Sequence, residues 1–277
     1  MGAVLALLAA LTWGTGDYLG GVATKRQPVV TVAASAQIGG LAVVMAAAFL
    51  IGGSPAWEDL FYPGLGGAAG AVGLLLLYHG LATGTASVVA PITGVMSAAI
   101  PTVWGFINGE SVSPTTSLGL FAGLIAIALI SQGGDASQER SGLAGPSVLV
   151  ALASGTSFGL FIVALSVAGD DAGLFPILAA RAISVPLLIL LAIASAQPVT
   201  AELDRLVILG AGIFDAAANA LVLVALRDGV IVATVLSSMY PAATILWARL
   251  FEGERMRPAQ KFGLLLAAAA VILIVVG

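Results

Sequence analysis

Cysteine is absent from this 277-residue chain, which excludes disulfides and thiolate chemistry. A single histidine leaves no His cluster for zinc, and no metal site or other cofactor is expected. Charge is scarce: Asp, Glu, Lys and Arg make up 9% of the residues, against roughly 25% in an ordinary soluble domain. The net charge of -4 is small, and no basic domain stands apart, so a nucleic-acid partner is excluded. Hydrophobic residues, by contrast, reach 60%. A soluble protein could not cover its surface with so few charges. A lipid-facing surface removes that demand, because acyl chains solvate Leu, Val and Ala directly. The sequence is that of an integral membrane protein.

A helix needs about 20 apolar residues to cross the hydrocarbon core. Ten stretches answer to that description, at roughly 2–24, 29–52, 61–82, 86–107, 115–132, 143–167, 173–195, 206–226, 230–250 and 259–277. Barrel strands would alternate polar and apolar residues, and runs such as Val88 to Ile92 or Val271 to Val276 do not. The first apolar run follows no basic segment and is expected to be a mature helix, not a cleaved signal. Turn chemistry marks the breaks: Lys25-Arg26-Gln27-Pro28, Gly52-Gly53-Ser54-Pro55, Gly133-Gly134-Asp135 and Gly169-Asp170-Asp171. The longest polar stretch, Gly133 to Gly142, falls near the middle and divides two five-helix repeats, expected at 1–135 and 142–277.

The two halves resemble each other. An offset of 144 carries Gly109-Glu110 onto Gly253-Glu254, Pro114 onto Pro258, Gly119 onto Gly263 and Gln37 onto Arg181. At an offset of 141, Ala10-Leu11…Gly14-Thr15 parallels Ala151-Leu152…Gly155-Thr156. The third and fourth helices of each half are joined by short links, Thr83 to Thr85 and Arg227 to Gly229. Five helices is an odd number, so the second half enters the membrane inverted. Loop charge agrees: Lys25-Arg26 opposes Asp170-Asp171, and Glu110 opposes the basic stretch from Arg249 to Lys261. Lys and Arg mark the cytoplasmic side. Lys25, Arg26, Arg140, Arg205, Arg249, Arg255, Arg257 and Lys261 fall at odd-numbered loops, with only Arg227 at an even one, which puts both termini outside.

Trp13-Gly14-Thr15, the two Gly-Glu pairs (the second completed by Arg255, where Ser111 stands in the first), Pro241 after Ser238-Met239-Tyr240, and Gly263 together resemble the EamA-type ten-helix members of the drug/metabolite transporter superfamily. The resemblance covers essentially the whole chain. It implies a secondary transporter, an exporter, of small organic metabolites, amino acids or drug-like compounds, seated in the cell membrane (inner or plasma). It further implies a central cavity lined by helices one, three, four, six, eight and nine, with helices five and ten outside. Many such relatives carry basic, cytoplasmic N-termini, so resemblance and charge count point to opposite orientations.

Ionisable groups deep in a span are costly and face a cavity or a partner. Asp17 lies one turn after Trp13, on the same helix face, as a site for a substrate ammonium or a proton with an aromatic wall; otherwise it reaches interfacial water. Asp215 is central in the eighth helix with Asn219 one turn on, suited to proton coupling or to a fixed interhelical pair. Arg181 matches Gln37 by repeat and reads as a structural guanidinium that pairs Asp215 or backbone carbonyls. Tyr78 and His79 end the third helix, His79 as a solvated end or a coupling group. Tyr240 beside Pro241 reads as a cavity residue at a bend, since proline frees a carbonyl. Trp13, Asp17, Tyr78, Asp215, Asn219 and Tyr240 are the expected substrate-binding set, with Gln37, His79 and Arg181 structural or coupling residues. Gly16/Gly20, Gly66/Gly70, Gly119/Gly123 and Gly155/Gly159 are small-xxx-small pairs for close helix packing. Pro91, Pro101, Pro186 and Pro241 stand inside spans as candidate bends.

Two other functions compete. Gly14-Thr15-Gly16-Asp17 is formally the Gly-x-Gly-Asp pattern of intramembrane aspartyl proteases, with Phe214-Asp215 as second carboxylate. The order is reversed, however, and no Pro-Ala-Leu follows, so the chain is not expected to be an enzyme. A channel needs a continuous polar stripe, and a scaffold has no use for deep carboxylates. The expected partners are therefore a small-molecule substrate, the lipid bilayer and protons, in a monomer or homodimer working by alternating access.

Overall fold

The computed structural model describes residues 1–82, 86–130, 146–252 and 257–277; the middle break 133–142, the 83–85 link and the second Gly-Glu-Arg copy at 253–255 lie outside the described residues. Runs of Ala, Leu, Val and Ile favour helix, and in lipid a helix alone satisfies every backbone group within its own segment. Eleven described helices result: α1 Gly2–Thr24, α2 Val29–Ile51, α3 Trp57–Ala82, α4 Ala86–Ile107, α5 Pro114–Ile130, α6 Pro146–Ser166, α7 Phe175–Ala194, α8 Arg205–Leu226, α9 Val230–Ser237, α10 Tyr240–Glu252 and α11 Pro258–Val276. Eight stretches are long and apolar enough to span a bilayer, with Val230–Phe251 counted as one; Ile92–Ile107 and Pro114–Ile130 are shorter apolar helices. The fold is an all-α polytopic bundle of ten passes in two inverted repeats.

Two elements differ from the sequence reading. α3 begins at Trp57 instead of near 61, because Glu58 and Asp59 occupy its first turn, where the helix dipole favours acids. Hydropathy cannot count such a turn as membrane, yet its Trp57, Phe61 and Tyr62 rings remain exposed, as an interfacial belt requires. The ninth pass is not one helix but two, α9 and α10. Pro241 has no N–H to give to the carbonyl of Ser237. The chain tightens there instead, with Met239 N–H donating to Leu236 O at 3.2 Å and Ala242 N–H to Met239 O at 3.0 Å.

Helices of one half pack chiefly on helices of the other. α1 lies against α8 and α10, α6 against α3 and α4, α2 against α7 and α8, and α5 against α11. The repeated residues meet across this two-fold relation. Gly119 of α5 faces Ile274 of α11, while Gly263 of α11 faces Ile130 of α5, the same contact made twice. Similarly, a Cβ at Gly67 would collide with the carbonyl of Ala180, and one at Gly212 with the carbonyl of Ala36. Only glycine permits backbones to approach so closely.

Candidate functional site

A cavity of about 70 Å³ lies between the halves. By that measure one water needs ~10–15 Å³, so the space holds a handful of waters or one small organic group. Trp13 and Asp17 of α1, with Asp215 and Asn219 of α8, form one wall. Gln37 of α2, with Arg181 and Ser184 of α7, forms the facing wall. Phe158 and Phe161 of α6 close a third side against Gly70, Ala71 and Leu74 of α3, and Ser97, Ser237, Ser238 and Tyr240 close the fourth. Helices two and seven thus line the cavity beside the six expected ones, because α2 and α7 cross at the two-fold axis. α5 and α11 contribute nothing to the lining and pack on each other.

Charges in this cavity are paired unevenly. Arg181, buried to 4% exposure, donates from Nη2 to Asp215 Oδ2 in an ion pair. Asn219 Nδ2 donates to the Asp215 backbone carbonyl at 2.7 Å and to Oδ1 at 3.2 Å. Both carboxylate oxygens of Asp215 are therefore engaged, while Asn219 Oδ1 is buried with no donor among the described residues. Ser184 Oγ donates to Gln37 Oε1 at 2.9 Å, which turns the Gln37 amide nitrogen away from it. Asp17 accepts no hydrogen bond and joins no ion pair among the described residues. Its neighbour Gly16 packs on α8, where an added Cβ would stand 3.4 Å from the Asp215 backbone nitrogen. The dyad imagined for a protease is thus not formed, since Asp215 holds Arg181 and Asn219 and shares no hydrogen bond with Asp17.

The Trp-Gly-Thr motif is explained by the broken ninth pass. Trp13 meets Tyr240 edge to face with ring centroids 6.5 Å apart. Gly14 leaves room for α10, where Thr244 Oγ1 donates toward Gly14 O at 3.2 Å. Thr15 Oγ1 accepts the Trp247 indole N–H at 2.8 Å. Tyr240 Oη is buried and has no partner among the described residues. Tyr78 is buried with its hydroxyl against Gly20, outside the cavity lining. His79 is exposed at the far end of α3 and also lies outside the lining.

Phe158, Phe161, Ser97, Ser184, Ser237 and Ser238 were not singled out from sequence. Glycines at helical spacing on α3 carried the signal for the two rings. A Cβ at Gly70 would lie 3.4 Å from Phe161 Cγ, and one at Gly73 3.0 Å from Phe158 Cδ1. A glycine row three and four residues apart implies a bulky partner opposite, but not which one.

On the face that carries both termini, carboxylates of one half accept backbone N–H groups of the other. Asp59 takes Gly169 N–H at 2.7 Å, Glu110 takes Val230 N–H at 3.1 Å and Ile231 N–H at 3.2 Å, and Asp228 takes Gly2 N–H at 2.6 Å. Gly109, at φ +84°, makes the second of these possible. It ends α4 in a Schellman turn, with Gly109 N–H on Phe106 O and Glu110 N–H on Gly105 O, and so directs Glu110 at the first N–H groups of α9. The opposite face is tied by Arg26–Asp204 at 3.5 Å and by Gln27 Nε2 donating to Leu203 O at 2.7 Å.

These features define a class: a multi-pass helical membrane protein with a partly charged cavity between two interlocked halves. The profile of the EamA-like transporter family matches residues 1–132 and again 145–276, and the chain belongs to that family. Its members are membrane transporters of small molecules, not enzymes. A solved crystal structure superposes with TM-score 0.78 over 99% of this chain and 96% of its own, at 18% identity, which shows the fold alone. No curated protein matches.

Proposed function

We propose that this chain is a secondary transporter, working as an exporter in the cell membrane (inner or plasma), for small organic metabolites such as amino acids or drug-like compounds. The halves 1–135 and 142–277 rock about the cavity in alternating access. The observation that carries this reading is the cavity itself: a partly open space at the repeat interface that holds a carboxylate, Asp17, without a partner among the described residues. A static scaffold has no use for such a group, since burying an unpaired charge is costly.

Proton coupling belongs to the same reading. Asp215 is engaged by Arg181, so Asp17 is the carboxylate free to exchange a proton, and Asp215 couples only when that pair opens. Purified protein in liposomes should accumulate a labelled substrate when a pH gradient is imposed, and should stop doing so after Asp17→Asn. Equal flux with and without the gradient, in wild type and in both Asp17→Asn and Asp215→Asn, would remove proton coupling. Absence of flux for every class in a screen of amino acids, nucleosides, sugars and amines would remove the transport reading. Their place on the lining supports substrate-binding roles for Trp13, Asp17, Asp215, Asn219 and Tyr240. Tyr78 packs its hydroxyl against Gly20, three residues past Asp17, and supports Asp17's helix there.

A further inference from the structure

We propose that the cavity selects an organic ammonium ion bearing N–H groups and an apolar, ring-sized body, held between Asp17 and Asn219 Oδ1. The proposal rests on the reading of this cavity as the substrate site and adds the chemistry of its occupant.

Three charged side chains line the cavity, and Arg181 and Asp215 neutralise each other. One negative charge, on Asp17, is left over. Both N–H groups that matter on Asn219 are directed to Asp215, so its remaining cavity-side polar atom is an acceptor, Oδ1, on a residue 3% exposed. Tyr240 Oη is, with Asn219 Oδ1, the second buried polar atom at the cavity without a partner among the described residues. A carboxylate and an amide oxygen lack donors and a hydroxyl lacks any partner, and polar groups left unpaired away from water are expensive. An ammonium supplies up to three N–H donors and the missing positive charge.

Placement supports a single occupant for these groups. α1 and α8 run antiparallel, and Gly16 is level with Asp215. Trp13, a turn before Asp17, is therefore level with Asn219, a turn past Asp215. An ammonium between Asp17 and Asn219 would face the Trp13 ring, within reach of cation–π attraction. Phe158 and Phe161 then receive the apolar body from the α6 side.

Other classes fit less well. A carboxylic acid meets the Asp17 charge. A zwitterionic amino acid needs a cation for its carboxylate, and Arg181, the cation on the lining, is held by Asp215. A quaternary ammonium matches the charge but has no N–H for Asn219 Oδ1.

The test uses full-length protein in detergent and four probes of one size: 2-phenylethylamine, phenyltrimethylammonium, phenylalanine and 3-phenylpropionate. Thermal shift and calorimetry should show 2-phenylethylamine bound at least about tenfold more tightly than the other three. Asp17→Asn should cost the amine at least about tenfold, and Asn219→Leu should narrow its advantage over phenyltrimethylammonium. Phenylalanine or phenylpropionate binding as tightly as the amine in wild type overturns the proposal, with no variant needed. Unchanged amine affinity in a monodisperse Asp17→Asn protein overturns it too. Flux of labelled 2-phenylethylamine in liposomes separates the two readings. Amine binding without flux of any class in the wider screen leaves the binding proposal standing and sinks transport; flux of another class without amine binding does the reverse.

Discussion

Arg181 and Asp215 illustrate why a buried ion pair is felt mainly when it is broken. Removing one partner strands the other in low dielectric, whereas removing both leaves an apolar contact. Arg181→Met is therefore predicted to destabilise the fold by about 3–5 kcal/mol, with the double variant Arg181→Met/Asp215→Leu recovering most of that loss. Denaturation in detergent micelles measures both. Asp228 works differently, at the membrane surface. The Gly2 backbone N–H, and then the N-terminal ammonium, hold its carboxyl below the usual 3.8. A folded-state value lowered in this way gives stability that is present above pH 3.8 and disappears as pH falls through the lowered value. Asp228→Asn should thus lower the melting temperature at pH 7, and the gap from wild type should close in acid. A gap that persists below the lowered value would show that the charge is not its source.

At the scale of elements, the ninth pass and the Gly-Glu turn are the two departures from plain helical packing. Pro241→Ala restores an N–H in the α9–α10 turn and removes a constraint against continuous helix. Melting temperature is predicted to hold or rise, while substrate flux falls, because the break lets Tyr240 and Ser238 meet the cavity. Equal flux in this variant would make the break a packing feature. Glu110→Ala leaves the first N–H groups of α9 uncapped, at a cost of about 1 kcal/mol. It also loosens one of three carboxylate ties on the terminal face. Because the chain has no cysteine, Ser97→Cys gives a single reporter in the cavity. In the Glu110→Ala background that reporter should react faster with an impermeant maleimide supplied from the terminal face, and an unchanged rate would reduce Glu110 to a helix cap.

The whole molecule is interlocked more than it is divided. Since α1 relies on α8 and α10, and α6 on α3 and α4, neither half buries its small-residue faces alone. Residues 1–140 produced alone should aggregate in detergent, and co-production with the remainder should restore a monodisperse complex, as read by size-exclusion chromatography. A stable isolated half would contradict the cross-half packing described above.

Much of this architecture was legible in sequence because lipid imposes a one-dimensional rule. Each pass must be apolar and long enough, and each break must carry turn residues, so spans and duplication are visible locally. The offset pairs Gly119/Gly263 and Gln37/Arg181 are residues exchanged by the two-fold relation, so that each contact of one half is repeated by the other. The sequence alone determined a membrane bundle of two inverted halves, and it marked Asp17, His79, Arg181 and Asp215 as ionisable groups costly in a span. Tertiary structure alone decided which carboxylate is spent and which is free. The sequence offered Arg181 either Asp215 or backbone carbonyls as partner, and the fold decided for the carboxylate, because residues 34 apart meet across the cavity. It likewise decided that Phe158 and Phe161 fill the glycine row of α3, since a glycine announces a gap but only the opposite helix supplies what fills it.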